Sequence, residues 1–106
     1  MTSFSNPEDQ KLLTLASATL KRTGAAQAAA LRDNTGRTYV AVNIATPSLT
    51  LDACDSVFTV ATASGISGIE SVVATGSRPA NVKAIKDFAP TATVFFVAAS
   101  GEVISL

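Results

Sequence analysis

The chain has 106 residues, 47% apolar and 15% charged, with eight Lys and Arg set against eight Asp and Glu. That length suits one compact domain over residues 1–106, the apolar content is too high for a disordered segment, and the balanced charge gives no field that would draw nucleic acid or anionic lipid. There is no histidine and one cysteine, Cys54, which excludes a Ser-His-Asp or Cys-His nucleophile and an intramolecular disulfide, and leaves any zinc site one thiolate plus carboxylates.

Asn6-Pro7-Glu8-Asp9 reads as a helix start, with Asn6 as cap, Pro7 in the first turn and two acids at the positive end of the dipole. Leu12, Leu13, Leu15, Ala16 and Leu20 recur at helical spacings, Lys21 and Arg22 favour the C-terminal end, and Gly24 offers a left-handed stop. A helix over about Pro7 to Thr23 is predicted. Ala25 to Arg32 is a short run of small residues, Asp33-Asn34-Thr35-Gly36 is hairpin-turn chemistry, and Arg37 to Ile44 alternates with a period of two. Two antiparallel strands are expected there.

Pro47-Ser48 breaks the second strand, and Ser48 or Thr50 is placed to cap a helix through Leu51, Cys54, Val57, Phe58 and Ala61 toward Gly65. Asp52 and Asp55 near its start read as complements of the helix dipole. Ile69 to Ala74 reads as a third strand, Ala80 to Phe88 as a short helix after Pro79, and Thr93 to Ala98 as a fourth strand. Ser100-Gly101-Glu102 then turns the chain into a short fifth strand, Val103 to Leu106. Strands linked through helices predict an α/β class with a mixed sheet and helices on its faces. No apolar run reaches the roughly 20 residues that span a bilayer, and no basic and apolar leader opens the chain. A cytoplasmic location is expected, with Cys54 as a small buried hydrophobe in a reducing compartment.

Three stretches carry a likeness to a known family: Ala28-Ala29-Ala30-Leu31 with Gly36-Arg37, then Val42-Asn43-Ile44-Ala45-Thr46-Pro47-Ser48, and Arg78-Pro79 before a helix ending near Asp87-Phe88. Between roughly Ala25 and Glu102 the chain resembles the homotetrameric cytidine deaminases. The resemblance implies a three-layer α/β/α fold, with a five-stranded mixed sheet and about three helices. In that family one Cys or His and the two cysteines of a Pro-Cys-x-x-Cys helix hold zinc, and a glutamate two residues after the first ligand shuttles protons.

The resemblance places Cys54 on the first ligand, Ser56 on the glutamate, and Ala80 and Lys83 on the two cysteines. A serine hydroxyl is no carboxylate base near neutral pH, and one thiolate beside an ammonium does not satisfy zinc. Asp55 is adjacent to the glutamate position but about 100° away around the helix. Asn43 matches the family's sugar-contacting asparagine, while the glutamate two residues on is Ala45. Asn43 is therefore a nucleoside contact or a strand-end residue that bonds the following turn.

Lys83 is expected to pair with Asp52 or Asp55 and so replace the metal, to donate to nearby carbonyls, or to lie in solvent. The whole predicts a catalytically inactive, metal-free and cofactor-free relative of these deaminases. It is expected to act as a homo-oligomer, dimer or tetramer, or through a partner protein, without nucleic acid or membrane. Two alternatives stand beside it. One is a small-ligand module in which helix starts near Thr50 and Ala80 offer amides to an anion or nucleotide. The other is a divergent hydrolase that uses Cys54, Lys83 or a carboxylate pair.

Overall fold

A computed structural model describes residues 4–106. The first helix, α1, spans Pro7–Thr23, with Asn6 Oδ1 accepting the Glu8 amide at 2.9 Å and Gly24 closing it at φ 68. Both ends fall where the capping residues put them. Strand β1 (Gln27–Asp33) pairs antiparallel with β2 (Thr38–Val42), with Ala30 opposite Val40. Asp33 builds the intervening turn. Its Oδ1 accepts the amides of Thr35 and Arg37 and the Thr35 hydroxyl at 2.7–2.9 Å.

The second strand is shorter than its alternation predicts, ending at Val42 instead of Ile44. Asn43 Oδ1 takes the Gln27 amide at 3.0 Å, so a side chain replaces the next backbone rung and the chain leaves the sheet. Ile44–Ala45 (β3) then pairs with Thr50–Leu51 (β4) as a separate small hairpin, with Pro47 and Ser48 at its tip. Ser48 and Thr50 lie before the helix, in the small hairpin, and Asp52 caps helix α2 (Ala53–Ala63) instead.

Strand β5 (Ile69–Gly76), helix α3 (Lys83–Phe88), β6 (Thr93–Val97) and β7 (Val103–Ser105) complete the chain. The expected start of α3 at Ala80 is corrected to Lys83. The reason is that the Ala80 and Asn81 amides are bound by Asp52 and Asn81 Oδ1 accepts the Lys83 amide at 3.0 Å. The main sheet is five-stranded and mixed, in the order β2-β1-β5-β6-β7, with β5 and β6 parallel and the other neighbours antiparallel.

The period of two on β1 splits the core. Ala28 and Ala30 face α1 with Leu12, Ala16 and Val73, while Ala29 and Leu31 join Cys54, Val57, Ala61, Val72 and Ile85 under α2 and α3. Because helices cover both faces, all of β1 is buried and reads as a continuous small-residue run. Two charged residues, Arg32 and Asp33, end it. Arg32 pairs with Asp9 of α1 at 2.9 Å and with Glu70 of β5 at 2.6 Å. No helix among the described residues is long and apolar enough to cross a membrane.

Candidate functional site

The start of β1, the end of β5 and the start of α2 converge at one end of the sheet, and Gln27 joins them. Its buried carboxamide accepts the Ala53 amide at 2.5 Å and donates to the Ser77 carbonyl at 3.1 Å, while its backbone exchanges bonds with Asn43. The first amide of α2 is thereby satisfied by a strand residue.

Asp52 binds across the gap to the segment before α3. One carboxylate oxygen caps α2 by accepting the Asp55 amide at 3.0 Å, and the other accepts the amides of Ala80 at 3.1 Å and Asn81 at 2.9 Å. Asn81 Nδ2 also donates to Asp55 at 3.2 Å. A single carboxylate thus serves three amides, two of them from a different segment. Burial and the neighbouring Asp52 charge raise the Asp55 carboxyl above its ordinary range, partly offset by the Asn81 bond.

Of the residues singled out in the sequence, Cys54 and Ser56 both lie on the buried side of α2. Cys54 is fully enclosed in the core, and burial first, then Asp52 and Asp55, pushes its thiol up to about 12. An enclosed thiol that keeps its proton at neutral pH is a poor nucleophile. Ala80 is exposed in the segment before α3 and contributes its backbone amide. Asn43 uses its carbonyl oxygen on the backbone amide of Gln27 at the start of β1, not on the turn that follows it.

Of the places left open for Lys83, pairing with Asp52 or Asp55 is not the one found, and an exposed position is. Its ammonium is on the outer side of α3, 2.6 Å from Asp87 one turn later, with the side chain 79% exposed. The carboxylate of Asp52 is already filled by amides, and the late start of α3 turns Lys83 outward. The bridge between α2 and α3 therefore exists, but aspartate and backbone amides make it.

This donor set does not fit a zinc ion. The four aligned positions hold a buried thiol, a serine, an alanine and an exposed ammonium, and no three Cys, Asp or Glu side chains among the described residues are placed around one point. At the expected anion site, Gln27 and Asp52 already occupy the amides of Ala53, Asp55, Ala80 and Asn81. No pocket opens among the described residues.

Gln27 and Asn81 were not singled out in the sequence, and Asp52 was read as a dipole complement and a possible partner of Lys83, not as the acceptor of the Ala80 and Asn81 amides. Signals were present: Gln27 is the one polar residue in Ala25 to Leu31, and Asp52 and Asp55 have the spacing of a cap and its third residue.

The fold is shared with solved enzymes. The chain superposes on a cytidine deaminase from Burkholderia pseudomallei with TM-score 0.72 at 20% identity, covering 100% of this chain and 92% of that one. It superposes on a cytidine deaminase from Mycobacterium leprae with TM-score 0.69 at 18% identity, covering 91% of each. No curated protein matches the sequence. A family model described as cytidine deaminase-like matches residues 5–101, which takes in α1 as well as the segments that carried the resemblance, and the chain belongs to that family.

Proposed function

We propose that this chain is a non-catalytic member of the cytidine deaminase-like family that works through assembly, with copies of itself or with another protein. The observation that carries the reading is the carboxylate of Asp52. It ties the start of α2 to Ala80 and Asn81, two segments that the family joins through zinc ligands in the resemblance above. With that bridge in place the fold needs no metal to hold the two segments together. Cys54 remains behind it as a core residue whose thiol stays protonated. Ser56 supplies no carboxylate to move protons.

The assembly half rests on surface chemistry. A neutral chain with Leu49, Val60 and Phe88 exposed carries apolar area outside its core. The test is metal content and cytidine and deoxycytidine deamination measured on one preparation, beside sedimentation across concentration. Expected are no stoichiometric zinc, no ammonia release, and a species larger than the monomer alone or with a partner. One zinc per chain with turnover overturns the non-catalytic reading. A monomer under all conditions, with no co-purifying protein, overturns assembly.

A further inference from the structure

We infer that the outer edge of β2 is the surface through which two copies of this chain pair, extending the sheet across a two-fold axis at Val40. This inference rests on the assembly reading above and names the surface. The two-stranded register fixes which groups face out. Asp33 donates its amide to the Arg37 carbonyl at 2.9 Å, and Asn43 donates to the Gln27 carbonyl at 3.2 Å. With Leu31 opposite Tyr39 and Ala29 opposite Ala41, the odd-numbered residues of β2 bond to β1. The amides and carbonyls of Thr38, Val40 and Val42 therefore point away from the sheet, and none has a hydrogen-bond partner among the described residues.

Three outward residues with Val40 in the middle form a self-complementary set. In an antiparallel pair centred there, Val40 lies opposite the partner's Val40, Thr38 opposite the partner's Val42, and Val42 opposite the partner's Thr38. Every outward amide then meets an outward carbonyl, as a two-fold interface requires. The side chains agree with that register. Tyr39 lies opposite the partner's Ala41, a large residue against a small one, and Arg37 opposite the partner's Asn43, so like charges do not meet.

Edge strands in monomers are commonly guarded by a charge, a proline, a bulge or brevity. Thr38-Tyr39-Val40-Ala41-Val42 has no charge and no proline, its pairing with β1 runs through Arg32↔Thr38 without a break, and it spans five residues. The opposite edge is guarded. Strand β7 has three residues and turns only Val103 and Ser105 outward, since Glu102 and Leu106 bond to β6 and its flank.

The experiment is amide hydrogen exchange on the full chain at several concentrations, read with sedimentation. Expected is an alternating pattern: Tyr39 and Ala41 stay protected at every concentration, while Thr38, Val40 and Val42 gain at least about tenfold protection as the dimer forms. Thr38→Pro removes one outward amide from an exposed position and leaves the β1 ladder intact. It should weaken the dimer by at least about tenfold while the chain stays folded. A dimer or tetramer in which those three amides exchange as fast as in the monomer overturns this surface and leaves assembly standing. A chain that is monomeric throughout overturns this surface, and with no co-purifying protein it overturns the assembly reading as well.

Discussion

Asp52 accepts the backbone amide of Asn81 at 2.9 Å while capping its own helix through the Asp55 amide at 3.0 Å. The two oxygens of one side chain thereby set the position of α3 relative to α2. Removing them leaves three amides without an acceptor, that of Asp55 half-buried and those of Ala80 and Asn81 exposed. Asp52→Ala should cost about 2 kcal/mol, more than an ordinary cap loss, because two amides outside the helix lose their acceptor as well. Asp52→Asn keeps one acceptor oxygen and should retain the cap but lose the contact to Ala80 and Asn81. Urea unfolding of the three proteins checks the order: wild type, then Asn, then Ala.

Arg32 and Asp9 form the most enclosed ion pair, with side chains 7% and 8% exposed. Arg32 Nη1 is buried and has no partner among the described residues. Asp9→Ala removes one of the two carboxylates on Arg32 and leaves the Glu70 pair in place, so it should cost about 2 kcal/mol, the loss of one charge-assisted bond in an enclosed position. Arg32→Met with Asp9→Leu removes both charges and the unsatisfied nitrogen together. The double variant should be more stable than Asp9→Ala alone, as a double-mutant cycle by denaturant unfolding would read.

Much of the fold was legible because local chemistry and packing agreed. Asn6, Pro7 and Gly24 bounded α1 correctly, and the hairpin followed from Asp33 to Gly36, since caps and tight turns depend on adjacent residues. The errors lie where a distant side chain intervenes. β2 stops because Asn43 reaches Gln27, and α3 starts late because Asp52 reaches Ala80 and Asn81, contacts separated by 16, 28 and 29 residues. Periodicity holds no information about such contacts. The same applies to the site: the resemblance led to Cys54 and Ser56, whereas Lys83 was left with three possible places, and the bonds from Asp52 to Ala80 and Asn81 were not foreseen.

Two glycines with nearly the same backbone angle should respond differently to alanine. Gly36 has φ 90 with open space around an added Cβ, whereas Gly76 has φ 93 and a Cβ there would collide with the Ala26 carbonyl oxygen and press on Leu20. Gly36→Ala should cost about 1–2 kcal/mol from backbone strain alone. Gly76→Ala should cost about 1–3 kcal/mol beyond that, because the end of β5 must move away from the start of β1. Thermal or urea unfolding of both variants measures the difference.

Acid should act on the hairpin through Asp33. Burial raises its carboxyl, but the bonds from Thr35 and Arg37 outweigh that and hold it below the ordinary aspartate range. The folded state therefore favours the charged form. The resulting stabilisation is complete above the unfolded carboxylate range and is lost as pH falls through the lower, folded value. Asp33→Asn should lower the urea midpoint at neutral pH, and the gap to wild type should close as the pH is brought below the carboxylate range. A gap that stays constant with pH would show that the turn does not depend on the charge.

Cys54 tests the site most directly. A zinc ligand or a nucleophile is a thiolate within reach of solvent, whereas this thiol is enclosed and pushed up to about 12 by burial, Asp52 and Asp55. Alkylation of the native chain at neutral pH should therefore be limited by opening of the fold, and should accelerate with urea in parallel with unfolding. Asp52→Ala should speed it, because a loosened α2 opens more often. If the native thiol instead reacts as fast as a free cysteine and added zinc blocks the reaction, Cys54 faces an accessible metal position and the substitution of that position by Asp52 fails.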